Sequence, residues 1–189
     1  MSEIYIRDDS SQSLDRIIAL LTGIGSSGGM QKAVNAALRR AATSGRAKAG
    51  QFVAERYTIS AATFKKYFES DDEFEGAGDT TDSLKVKFRG SVIPLIEFQT
   101  SYSKGGGVNV KVKKGGGGTL TRAFIADFHG RHDVYERVGK GKGGLKKLYG
   151  PSAAHMLEDS GVNEKMQKHM QDVFDQRMEH EVNRMLNGW

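Results

Sequence analysis

Between Leu84 and Pro151 the chain reads as short apolar runs cut by glycine: LKVKFRG, SVIPLIEFQTS, GVNVKVKKGGGG, TRAFIADFHG and HDVYERVGKGKGG, closing on KKLYGPSAAHML. Runs this short, rich in β-branched and aromatic residues and bounded by turn formers, have the pattern of antiparallel strands. Val108, Val110 and Val112 alternate with Asn109, Lys111 and Lys113, so such a strand is apolar on one face and wet and basic on the other. The expected fold is α+β: a central antiparallel β-sheet, open, sandwiched or curled into a partial barrel, flanked by N-terminal helices and a long C-terminal helix.

The flanks carry helical periodicity. Residues 1–10 are short and polar, with Ile4, Tyr5 and Ile6 fit for no more than a frayed arm or an edge strand. Leu14, Ile17, Ile18 and Leu21 recur at helical spacing behind Ser13 as N-cap. After a glycine/serine break at 23–29, an alanine-rich stripe (Val34, Leu38, Ala41, Ala42, Ala49, Phe52, Val53, Tyr57) predicts a long helix to about Tyr57, weakened at Gly45 and Gly50. Ser60 caps a shorter helix in which Phe64 and Phe68 point the same way. Ser152 caps another, and Val162 to Leu186 forms the clearest amphipathic helix, with Met166, Met170, Phe174 and Met185 on its apolar seam. These residues pack either on the core or on a partner, and Trp189 at the end of the chain is either disordered or an anchor into a neighbour. The acidic stretch 69–83 lacks the spacing of a calcium loop and reads as a solvated loop.

A chain of 189 residues suits a single domain, divided as a helical part (1–68), the acidic loop (69–83), a basic sheet (84–151) and a helical end (152–189). Cysteine is absent, which removes disulfides, thiolate metal sites and a cysteine nucleophile. There is no apolar run of about 18 residues and no signal-peptide pattern at the N-terminus. The expectation is a soluble chain made in a cytoplasm and not held in a membrane.

Charge is unevenly spread. Residues 84–151 hold 14 Lys/Arg against 4 Asp/Glu, a net of +10, and the remainder holds 14 against 19, a net of −5. A basic sheet between acidic helical flanks faces a polyanion such as DNA, docks against acidic partners including copies of itself, or is simply a solvated strand face.

No arrangement of residues assembles a catalytic site. Gly139-Lys140-Gly141-Lys142-Gly143-Gly144 matches G-x-G-x-x-G in letters only, because no βαβ unit surrounds it. It reads as a basic loop whose Lys140 and Lys142, with Lys146 and Lys147 beyond, either contact phosphates or acidic side chains or are merely hydrated. His129, His132 and Asp133 have the residue types for a metal, but HGRHD has the composition of a turn. No G-x-S-x-G elbow surrounds Ser101, Ser103 or Ser152. No enzyme and no cofactor are expected. Zinc-finger spacing, an RNP-type aromatic strand and a helix-turn-helix are also missing, so any nucleic-acid contact would be electrostatic and blind to sequence.

Ordered blocks of this sequence resemble the tailed-phage minor tail protein Z family. They are Ile93-Pro94-Leu95-Ile96-Glu97-Phe98, Gly107 to Val112 with Lys114-Gly115-Gly116-Gly117, Ala123-Phe124-Ile125-Ala126 and Val134 to Lys140. Then come Leu148-Tyr149-Gly150-Pro151-Ser152 with Met156-Leu157, and a helix carrying Phe174, Arg177, His180, Glu181, Asn183 and Arg184. The chain departs from the family at Gly143-Gly144-Leu145-Lys146-Lys147, where a proline-containing approach is expected. The resemblance implies a structural virion protein: a tail completion protein at the head-proximal end of a long non-contractile tail, in a ring expected to be sixfold. Its partners would be itself, the tail terminator, the head-tail connector and the genome DNA in the channel. Host cytoplasm would be the place of assembly. On that reading Arg137, Lys140, Lys142, Lys146 and Lys147 form a DNA- or partner-facing rim. Tyr149, Gly150 and Pro151 make a rigid turn, and Met166, Met170, Phe174 and Trp189 serve packing or an interface. The alternative is a sequence-non-specific DNA-binding protein that acts as a monomer.

Overall fold

A computed structural model of the chain describes residues 2–7, 27–75, 83–128, 130–139 and 144–186. The helix expected behind Ser13, residues 76–82 of the acidic stretch, His129, Lys140, Lys142 and Trp189 lie outside the described residues. Strands and helices are both present, as the α+β expectation requires. The elements are β1 (Ser2–Arg7), α1 (Ser27–Arg56), α2 (Ala61–Lys65), β2 (Phe68–Glu75), β3 (Ser83–Gly90), β4 (Val92–Pro94), a 3₁₀ turn (Leu95–Glu97) and β5 (Gln99–Tyr102). They continue as β6 (Val108–Lys111), β7 (Gly118–Leu120), β8 (Ala123–Phe128), β9 (Arg131–Arg137), β10 (Leu145–Lys147), β11 (Tyr149–Ser152), α3 (Ala153–Glu158) and α4 (Ser160–Leu186).

The chain divides into two compact units. One takes residues 49–69 and 89–162, and the other takes 2–48, 70–88 and 163–189. Each therefore draws on several stretches of sequence, and the divisions expected at 68/69, 83/84 and 151/152 do not coincide with them.

In the first unit the strands form three small sheets, ordered β11-β4, β5-β6-β7 and β10-β9-β8, and none of them closes into a barrel. This replaces the one central sheet expected from the sequence. Strands of three to seven residues are too short for a wide ladder, and β4 gives way at once to the 3₁₀ turn while glycine follows within a few residues of β5, β6, β8 and β9. Backbone hydrogen bonds stitch the sheets together. Leu148 donates to the Val134 carbonyl at 2.9 Å and accepts from the Leu95 amide at 3.1 Å, while Thr58 donates to Val112 at 2.9 Å and Lys114 to Arg56 at 2.8 Å. Phe64, Ile93, Val108, Val134, Met156 and Leu157 of this unit are fully buried. Both caps expected among the described residues are made: Ser60 Oγ accepts from the Thr63 amide and Ser152 Oγ from the His155 amide. Phe64 and Phe68 stack with centroids 5.3 Å apart.

The second unit pairs helices with the sheet β1-β3-β2. Here β3 belongs with the N-terminal strand, antiparallel with Ile4 opposite Val86, and not with the later strands it was expected to join. Its Val86 and Phe88 are buried. The acidic stretch is corrected too, because Phe68–Glu75 is strand and not loop. A highly charged strand is tolerated at a sheet edge, where the outer side is hydrated and its charge repels further strands. Its neighbour β3 carries Lys85, Lys87 and Arg89, the opposite sign. Along α1, Ala37, Ala41 and Ala42 are fully buried. Gly45 does not break this helix. A Cβ there would meet Met170 Sδ at 2.6 Å, so the glycine lets α4 approach closely, and Ser44 Oγ lies 2.8 Å from His169 Nε2.

Candidate functional site

Between the units the charge is partitioned. The first holds 15 Lys/Arg against 8 Asp/Glu, a net of +7, and the second 13 against 15, a net of −2. The candidate surfaces lie in the basic unit.

The first surface is the sheet β10-β9-β8. Its register sets Phe124 opposite Tyr135 and Phe128 opposite Arg131, and Lys147 opposite Tyr135. Alternation therefore gathers Phe124, Phe128, Arg131, Asp133, Tyr135, Arg137 and Lys147 on one face. The Tyr135 ring lies 6.4 Å from Phe124 and 6.2 Å from Phe128, edge-on to the latter. The Arg137 guanidinium sits 5.5 Å from the Phe124 centroid. The opposite face carries Asp127 with His132 at 3.0 Å and Glu136 with Arg122 at 3.6 Å. His132 and Asp133 thus point away from each other, which is the ordinary consequence of adjacent positions on a strand.

The basic rim named from the sequence divides when its members are located. Arg137 and Lys146 are exposed. Lys147 is not a rim residue: its side chain is 22% exposed, its ammonium lies 2.5 Å from Asp133 Oδ2, and it sits 5.4 Å above the Tyr149 ring. Asp133 is 4% exposed, so Lys147 is the counter-charge that allows a carboxylate to be buried. Lys140 and Lys142 lie outside the described residues.

The expected rigid turn at Tyr149, Gly150 and Pro151 is corrected to a bulged strand. β11 pairs with β4 with Tyr149 opposite Pro94 and Ser152 opposite Val92, three steps against two. Pro151 has no amide to donate, and a bulge is where a sheet tolerates that. Gly150 is required by space: a Cβ there would lie 2.6 Å from Phe98 Cε2. Met166, Met170 and Phe174 are buried packing residues.

The second surface is an open polar cleft of about 550 Å³ over β5-β6-β7, lined by Gln99, Ser101, Asn109, Lys111 and Thr119 with the loop Gly115–Gly118. Asn109 and Lys111 of the strand face expected to be wet line it, and Val110 of the alternate set lines it as well. Thr119 donates to Asn109 Oδ1 at 2.6 Å, and Lys111 is the one cation among the described residues that line the cleft.

A buried carboxylate that the sequence did not single out joins Arg56, Tyr57 and Lys113. Asp159, 6% exposed at its side chain, contacts Arg56 Nε at 2.5 Å and Lys113 Nζ at 2.6 Å, and accepts from the Tyr57 hydroxyl at 3.3 Å. The Arg56 contact is a close charge pair without hydrogen-bond geometry. The hydrogen bond from Lys113 holds the Asp159 carboxyl below its ordinary range, with Arg56 adding to it against the opposing effect of burial. Burial and then the Asp159 charge push the Tyr57 hydroxyl up. Gly161 leaves room for this cluster, since a Cβ there would meet Arg56 Nη1 at 2.9 Å. Among the described residues no group of His, Asp and Glu is placed to hold a metal ion, and no helix is long and apolar enough to cross a membrane.

No family model matches the chain, and no curated protein or solved structure matches it.

Proposed function

We propose that this chain is a structural protein of a tailed phage: a tail completion protein that assembles as a ring, sixfold, between the tail terminator and the head-tail connector. The observation that carries this reading is where the family-like blocks fall. They coincide with β4 and the 3₁₀ turn, β6, β8, β9, β11 with α3, and α4, and they include the buried Ile93, Leu95, Phe98, Val108, Val134, Met156 and Leu157. A likeness that runs in order through core positions concerns the frame of a fold, and not only its surface. The reading assigns no catalytic role and no cofactor. It puts the protein in the virion, at the head-proximal end of the tail, after assembly in the host cytoplasm.

The net charge of +7 on one unit supports a function beside DNA, because a ring adds its subunits' cations around one channel. In this reading Arg137, Lys140, Lys142 and Lys146 form the DNA- or partner-facing rim, Lys147 is structural, and Trp189 is an anchor into a neighbouring subunit. Exchanging Arg137, Lys140, Lys142 and Lys146 for glutamate should stop the phage from completing infectious particles while the purified variant stays folded by circular dichroism. Normal titre from that variant would remove the rim. The same charge imbalance favours a second reading, a monomer that binds DNA without regard to sequence. That reading requires steeply salt-dependent binding by the isolated chain.

A further inference from the structure

We infer that the Phe124–Phe128–Arg131–Arg137 face of the sheet β10-β9-β8 is a stacking platform for single-stranded nucleic acid. This concerns one face of one chain and does not rest on ring assembly.

Charge is sorted across this small sheet. On the aromatic face the carboxylate of Asp133 is 4% exposed and is matched by Lys147 at 2.5 Å. The sheet's other described carboxylates, Asp127 and Glu136, are turned to the opposite face, where His132 and Arg122 meet them. The cations Arg131 and Arg137 stay exposed on the aromatic face. A surface that neutralises its own carboxylate and keeps its guanidinium groups in water is complementary to an anion.

The aromatic geometry narrows which anion. Phe128 is 48% exposed, although a phenyl ring gains from burial. Tyr135 is buried between the two phenyl rings and fixes both, at 6.2 Å and 6.4 Å. Phe124 and Phe128 are four residues apart on one strand, about 13 Å, far enough for each ring to take its own base. Each ring also has its own cation. Arg131 stands opposite Phe128 in the register, a position fixed by the tight turn at Gly130, whose φ is +73°. Arg137 lies 5.5 Å over Phe124, so its planar guanidinium extends that platform. A flat apolar ring beside a guanidinium, repeated along a strand, suits a base and its phosphate. A duplex keeps its base faces stacked inside and offers these rings nothing. An unpaired strand offers both groups.

The test is fluorescence anisotropy of the full-length chain with a labelled 12-nucleotide oligothymidylate and with a 12-base-pair duplex. The single strand should bind at least about tenfold tighter than the duplex. Phe128→Ala should weaken single-strand binding about tenfold, and Phe128→Trp should retain it. Both substitutions fall on a half-exposed side chain, and circular dichroism verifies that the fold is kept. Arg131→Ala with Arg137→Ala should weaken binding and flatten its dependence on salt, whereas Lys104→Ala with Lys114→Ala, elsewhere on the basic unit, should leave the Phe128 effect intact. Duplex binding as tight as single-strand binding would overturn the assignment. So would a Phe128→Ala variant with unchanged affinity. Phe128-dependent binding of a polyglutamate peptide, with no oligonucleotide bound, would also overturn it and give the face to an acidic protein.

Discussion

Asp159 and Lys147 each belong to a pairing of a buried carboxylate with a cation in the basic unit. Asp159→Asn removes the partner of Arg56 and Lys113 and should lower stability by about 2 kcal/mol in urea unfolding at neutral pH. The pH dependence has a definite sign. Because the folded carboxyl titrates below its ordinary 3.8, its contribution is whole above about pH 4 and fades as pH falls through the lower folded value. The gap between wild type and Asp159→Asn should therefore be constant from neutral pH to about pH 4 and close below it, and a gap that widened in acid would contradict the cluster. Lys147→Ala strands the buried Asp133 and should cost about 3 kcal/mol, while Lys146→Ala on the exposed side of the same strand should change stability by no more than about 0.5 kcal/mol. Neither role was legible in the sequence. The Asp159 hydrogen-bond partners lie 46 and 102 positions away along the chain, and KK gives no sign of which lysine turns inward until β10 is paired with β9.

The strands, caps and helices were legible wherever local chemistry decides them. Ser60 and Ser152 precede helical runs, and each caps one; Ser152→Ala should cost about 1 kcal/mol, measured by thermal unfolding. Period two in residues 108–112 put Val108 inward and Asn109 outward on β6, whereas Val110 and Lys111 are both half-buried and both line the cleft. The misses came where pairing partners decide. Phe68–Glu75 is dense in charge, yet it is strand because an edge position beside the basic β3 satisfies its backbone. Tyr149–Ser152 looked like a turn because it contains Gly-Pro, yet the bulge lets it pair with β4. Gly150→Ala tests that strand directly. The added methyl meets the buried Phe98 ring, and overpacking should cost about 1–3 kcal/mol; an unchanged urea midpoint would mean the ring has room to move. The aromatic face of β8 and β9 was also missed, although its signal was present: FIADF and RHDVYER at period two, joined by HG, put Phe124, Phe128 and Tyr135 on one side of a hairpin.

Over the whole chain, the strand-rich stretch 84–151 carries a net of +10, and the compact unit that takes most of it carries +7 against −2 for the other. A basic surface on one copy attracts an acidic surface on another, and a heterologous contact that closes on itself makes a ring. The proposed ring is checked by native mass spectrometry on the 189-residue chain alone and mixed with a phage tail terminator protein. Ring assembly predicts a closed ring, six copies, in at least the mixed sample. A monomer under both conditions, binding DNA with a steep salt dependence, would contradict it.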